Sequence, residues 1–163
     1  MIARRTENVE TAAQRPRKNP RAGRIALRWA LVGAWACLIV FMSSNTGSNL
    51  SGDLGFFSEL YRSMKDVQLS LLGPGVDLLS PAAHFCEYAM LGFLLANALR
   101  LHMPLARACL AAIACASLFG ATDEIHQYFV PERMCDPLDW IVDTLGASLG
   151  ALVARAALSR GER

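Results

Sequence analysis

Four apolar stretches divide the chain, at about 25–42, 80–99, 105–122 and 138–158, with polar or turn-forming residues between them. The first is about 27 Å long as a helix, enough to cross a thin hydrocarbon core. Its basic leader is long for a cleaved signal, and Met42-Ser43-Ser44-Asn45 does not read as a small-residue cleavage site, so a retained signal anchor is expected. Ser80-Pro81 and Asp136-Pro137 each supply a capping residue followed by proline, which predicts helix starts at the second and fourth stretches. Between the first two stretches, Phe57, Leu60, Tyr61, Met64, Val67 and Leu71 recur at helical spacing. Glu59 is within reach of Arg62, and Arg62 of Asp66, on the opposite face. Residues 54–72 are therefore expected to form an amphipathic helix lying in the membrane interface. The predicted architecture is all-α: an integral membrane four-helix transmembrane bundle with that interfacial helix in its first outer loop.

Composition agrees. Of the 163 residues, 53% are hydrophobic and 18% charged, and mean hydropathy is +0.29, which excludes an ordinary soluble enzyme and a disordered chain. Five cysteines, an odd number, argue against a disulfide framework; Cys135 alone is expected in an outer loop. Residues 1–24 carry Arg4, Arg5, Arg15, Arg17, Lys18, Arg21 and Arg24 against Glu7 and Glu10, with few large apolar side chains. They read as a disordered basic cytoplasmic tail, and 25–160 as one four-span transmembrane domain. With the N-terminus inside, the inner segments hold every lysine and arginine except Arg62, Lys65 and Arg133. That bias places both termini of a multi-pass cell-membrane protein in the cytoplasm. Membrane lipids, not nucleic acid, are the expected partners.

The acidic residues gather at the other end. His84, Glu87 and Tyr88 share one helix face near the start of the second span, and Asp123, His126 and Gln127 repeat that spacing where the third emerges. Asp136, Asp139 and Asp143 line the first two turns of the fourth. An ionisable side chain facing lipid costs several kcal/mol, about 3 or more at the helix centre, so these residues should face inward and meet. Below them Gly146, Ala147, Gly150 and Ala154 continue the face of Asp139 and Asp143, and Ala112, Ala116 and Gly120 lead up to Asp123 and Glu124. The GxxxG pair Gly146–Gly150 marks close helix packing. Asp136 is most simply a helix cap. Asp143 is too deep to cap, and its expected partners are His84 and Arg133.

The tract Asp123-Glu124-Ile125-His126-Gln127-Tyr128-Phe129-Val130-Pro131-Glu132-Arg133, with Asp139 and Asp143-Thr144-Leu145-Gly146, resembles the signature of the VanZ-like membrane protein family. So do His84-Phe85-Cys86-Glu87-Tyr88 and, more weakly, Ser43-Ser44. Two positions depart from the family pattern. Pro81 stands where a basic residue is usual, which leaves Arg133 more of the work of pairing with carboxylates, and Glu132 stands where glycine is usual. The family takes its name from an accessory protein of a glycopeptide-resistance cluster associated with teicoplanin resistance. The resemblance implies a cell-envelope setting and a fold more than a reaction.

Two functions compete. In the first, an outward polar pocket recognises a lipid-linked cell-wall precursor or a lipophilic glycopeptide antibiotic; Arg133 grips a phosphate or carboxylate, and Tyr88, Glu124, Gln127 and Asp139 complete the binding surface. In the second, the chain is an intramembrane hydrolase or transferase acting on a lipid-linked substrate. His84 or His126 is then the general base and Glu87 or Asp143 orients it, with Asp123 beside them. No HExxH or CxxC motif occurs, so no resident metal is expected. The alternative holds a divalent cation between His84, Glu87, Asp123 and Asp143. A proton relay fits poorly, because the inner halves of the spans are Ala, Leu and Gly.

Overall fold

The computed structural model describes residues 20–44, 55–73, 78–131, 133 and 135–159. They form five helices: α1 (Pro20–Ser44), α2 (Gly55–Leu72), α3 (Leu79–Leu99), α4 (Leu105–Gln127) and α5 (Pro137–Ser159). Among the described residues there is no strand. All but α2 are long and apolar enough to cross a membrane. The all-α four-helix bundle expected from the hydrophobic pattern is what forms, and α2 falls where the amphipathic helix was expected.

Two boundaries move. Helix α1 starts at Pro20, not at residue 25, so Arg21 and Arg24 ride on its first turns. Proline suits a first helical position, and arginine and alanine are good helix formers, so the helix outruns the apolar stretch. Residues 1–19, the rest of the predicted tail, lie outside the described residues. Helix α4 likewise continues past Thr122 to Gln127, which sets Asp123, Glu124, His126 and Gln127 on regular helix.

The helix starts behave differently from each other. At α5 the Asp136 Oδ1 accepts the Leu138 N–H at 2.8 Å, the cap expected from the sequence. At α3 the Ser80 cap is not used: the cap residue is Leu78, and its side chain makes no capping bond. Instead Gln68 reaches across from α2, and its Oε1 accepts the N–H groups of Leu78 and Leu79 at 3.0 and 2.9 Å. One amide oxygen thereby satisfies two donors that a helix start leaves open. Glu59, Arg62 and Asp66 are exposed, and among the described residues no ion pair joins them. The Gln68→Leu variant should lose about 1 kcal/mol at this joint. Hydrogen exchange should accelerate at the Leu78 and Leu79 amides while the interior of α5 stays protected.

Helices α3 and α5 pack so closely that backbones touch. A Cβ at Gly146 would run into the carbonyl of Phe85, one at Gly150 into that of Ala89, and one at Gly92 into that of Ala147. Only glycine allows this approach, as the GxxxG spacing predicts. Helix α4 closes the trio with a buried ridge of Ala108, Ala112, Ala116 and Gly120. The opposite face of α5 shows Leu138, Ile141, Leu145, Leu149 and Leu152 outward, as lipid contact requires.

Helix α1 is peripheral. Val32, Ile39 and Ser43 are its buried residues, one narrow stripe. Polar contacts pin it along its length. The Arg28 guanidinium donates to the Asn97 carbonyl at 2.8 Å, and Trp35 Nε1 to the Glu87 carbonyl at 2.9 Å. At its end Ser44 Oγ lies 3.0 Å from His126 Nε2, and Arg133 donates to the Met42 carbonyl at 3.3 Å. Asn97 thus crosses between helices through its backbone, not through its side-chain oxygen, which is buried without a partner. These contacts gather the start of α3 and the ends of α1 and α4 at one end of the bundle.

Candidate functional site

That end carries the polar cluster. Tyr88 and Asp143 are fully buried, and His84, Asp123, Glu124 and Gln127 are each at most 7% exposed. The residues sit inside the protein and do not line an open cleft. Close packing of α3 on α5 brings His84 opposite Asp143, with Nδ1 3.1 Å from Oδ1, a distance suited to N–H donation to the carboxylate.

Each of the three buried carboxylates is held by one oxygen. Asp143 uses Oδ1 for His84. Glu124 uses Oε2 to accept the Asp136 N–H at 2.8 Å, so the start of α5 fixes a side chain on α4. Asp123 uses Oδ2 to accept from Gln127 Nε2 at 3.2 Å, one turn along the same helix. Among the described residues the second oxygen of each is buried and has no hydrogen-bond partner: Asp143 Oδ2, Glu124 Oε1 and Asp123 Oδ1. The Tyr88 hydroxyl shares that condition. Gly120 makes room here, since a Cβ on it would come within 3.1 Å of Asp143 Oδ2 and 3.3 Å of the Tyr88 ring. A buried acceptor without a donor costs about 1–3 kcal/mol, so several kept together work against stability.

The sequence-predicted residues divide accordingly. His84, Tyr88, Asp123, Glu124, Gln127 and Asp143 are brought into the buried interior of one end. Glu87 and Asp139 are half-buried at its margin. His126 is exposed and faces Ser44, outside the buried set. Of the two partners expected for Asp143, His84 is present, whereas Arg133 reaches the Met42 carbonyl. Glu132 lies outside the described residues. One ring nitrogen of His84 and one oxygen each of Glu124 and Asp143 lie within 4.8 Å of one another. Among the described residues it is therefore Glu124, not Glu87 or Asp123, that joins His84 and Asp143 at metal-ligand spacing.

Two further side chains at this end were not singled out as site residues from the sequence. Ser43 is buried with its hydroxyl unpartnered, and Trp35 holds α1 to the helix turn that carries Glu87. The serine pair at the end of the first apolar stretch was a signal for Ser43; a tryptophan inside an apolar run gives none. The exposed Tyr128 and Phe129 rings meet edge-on at 5.4 Å just beyond α4, and exposed Trp140 donates to the Ser117 carbonyl at 3.0 Å. Aromatic rings at helix ends are characteristic of membrane–water boundaries.

The VanZ/LLP1 family profile matches residues 28–158, a range that includes the tract carrying Asp123, Glu124 and Gln127. The chain belongs to the VanZ/LLP1 family. The matched region begins in α1 and ends in α5, so all four long helices and the buried cluster fall within it. With four helices able to cross a bilayer, this VanZ/LLP1 chain is a multi-pass membrane protein. No curated protein and no solved structure matches it. As a VanZ/LLP1 member it carries five free cysteines, of which Cys109 is buried and donates to the Ala151 carbonyl at 3.4 Å, a packing role.

Proposed function

We propose that this VanZ/LLP1 protein recognises the polar part of an amphiphile in the outer leaflet, a lipid-linked cell-wall precursor or a lipophilic glycopeptide such as teicoplanin. Half-engaged carboxylates carry the proposal: three buried acids each keep one oxygen unpartnered beside the Tyr88 hydroxyl. Once the packed helix ends part to admit a head group, such oxygens accept hydrogen bonds from its hydroxyl, amide or ammonium groups, and sugar–peptide head groups are rich in all three. The half-buried Arg133 supplies the complementary grip on a phosphate or carboxylate. Orientation follows from charge. Arg21, Arg24, Arg28, Arg100, Arg107 and Arg155 belong to the end opposite the cluster, a bias that under the positive-inside rule supports cytoplasmic termini and a cluster toward the outer surface. Helix α2, whose Met64, Val67 and Leu71 are exposed, then lies in the outer interface.

Near-isosteric substitutions test the proposal, because they spare packing. In a glycopeptide-sensitive host, Tyr88→Phe, Asp123→Asn and Arg133→Gln should each reach wild-type membrane abundance and lose protection against teicoplanin. Unchanged protection in all three would overturn recognition at this site.

The His84–Asp143 pair favours a second reading, an intramembrane hydrolase or transferase on a lipid-linked substrate. A carboxylate bonded to one ring nitrogen fixes the imidazole and leaves the other nitrogen to take a proton, the arrangement of an oriented general base. Purified membranes incubated with labelled lipid-linked precursor would then yield a cleaved or transferred product, and His84→Gln would abolish it. Binding without product returns the choice to recognition.

A further inference from the structure

We propose that His84, Glu124 and Asp143 form a divalent-cation site, one ligand group from each helix of the packed trio α3, α4 and α5. Their donor atoms lie within 4.8 Å of one another and all three residues are buried. Around an ion with bonds of about 2.1 Å, neighbouring ligand atoms sit roughly 3.0–3.4 Å apart. His84 Nδ1 and Asp143 Oδ1, hydrogen-bonded at 3.1 Å, already have that spacing, so an ion that displaces the shared proton to solvent meets both after local rotation of side chains.

The unpartnered oxygens are an independent indication. Asp143 Oδ2 and Glu124 Oε1 are buried, without hydrogen-bond donors, and belong to the ligand residues themselves. Asp123 Oδ1 and the Tyr88 hydroxyl are two more buried oxygens at the same end. A cation satisfies several such atoms at once, where a single water would supply two donors. Charge points the same way. Two carboxylates placed beneath a membrane surface are costly, and a divalent ion neutralises both. Supporting hydrogen bonds are in place: the Asp136 N–H orients Glu124, and Gln127 holds Asp123 close by. One imidazole with two carboxylates is a mixed nitrogen–oxygen set suited to Mn2+ or Zn2+.

The site deepens the recognition proposed above and rests on that reading of the cluster as functional. It removes a difficulty there, since a cation between the acids and the ligand lets an acidic cluster hold a phosphate or carboxylate. Its test reads metal and not antibiotic protection, so the two can fail separately.

Tag-free protein in detergent is stripped with chelator and titrated with Mn2+, and bound ion is counted by electron paramagnetic resonance. We expect one tight Mn2+ per chain, with affinity lowered at least about tenfold in Glu124→Gln and Asp143→Asn, a typical loss when metal-site support is removed. His126→Ala, which alters an exposed histidine outside the set, should bind as wild type does. Pulsed resonance on the wild-type protein should show nitrogen coupled to the bound Mn2+, a readout that does not depend on any variant folding. No tight ion on the wild-type chain, no nitrogen coupling, or full affinity in folded Glu124→Gln would each overturn the site.

Discussion

Replacing Gly150 with leucine should abolish accumulation of folded protein in the membrane. Its Cβ would occupy the space of the Ala89 carbonyl, an atom of helix backbone that cannot rotate away. The two helices would have to separate along the whole α3–α5 seam, and overpacking of that kind costs about 3 kcal/mol or more. Even Gly150→Ala should destabilise, because the conflict begins at Cβ. Gly33→Ala is the control, for nothing lies within 4 Å of a Cβ at that position on α1, and alanine should there be neutral or stabilising by up to about 1 kcal/mol. Thermal unfolding in detergent micelles with matched expression levels measures both. Equal stability of Gly150→Ala and wild type would mean that the α3–α5 contact is looser than the structure has it.

The second large effect concerns the His84–Asp143 pair. Among the described residues His84 is the one partner of the fully buried Asp143 carboxylate, and His84→Leu should cost about 3–5 kcal/mol, most of it from the acid left behind. The double variant His84→Leu with Asp143→Leu should recover much of that loss, since paired replacement of a buried ionic contact by apolar groups is often neutral. Function should not recover with it. Unfolding midpoints of the two single variants and the double, together with teicoplanin protection, give a complete cycle. A double variant as unstable as the sum of the singles would show that the two side chains are not coupled.

Much of this was legible in the chain. Period and length of the apolar runs place the four long helices, and the small-residue spacing at Gly146 and Gly150 names the tight seam. The depth of Asp143, a full turn beyond capping range, marks it for pairing, and His84 was among its expected partners. What escaped is whatever depends on rotamers and on reach between helices. Glu87 and Asp123 were the residues expected to join His84 and Asp143; Glu124 takes that place, held by the Asp136 N–H, and no one-dimensional pattern shows that donor. The Ser80 cap failed for the same reason, since Gln68 arrives from another helix. His126 has the right spacing from Asp123 but turns off the packed face toward Ser44, while its neighbour Gln127 is enclosed. The start of α1 at Pro20 was missed because hydropathy reports where lipid begins, not where helical hydrogen bonding does.

The thin attachment of α1 has its own consequence. In hydrocarbon surroundings a leucine gains little by touching a neighbouring helix in place of an acyl chain, so apolar bulk cannot choose the azimuth of a peripheral rod. The choice falls to Arg28, Trp35, Ser44 and the Met42 carbonyl, four anchor points spaced along one edge. Such a rod is indexed like a key by its few teeth, and whole turns of its greasy side are free to drift in sequence so long as those teeth still meet their slots.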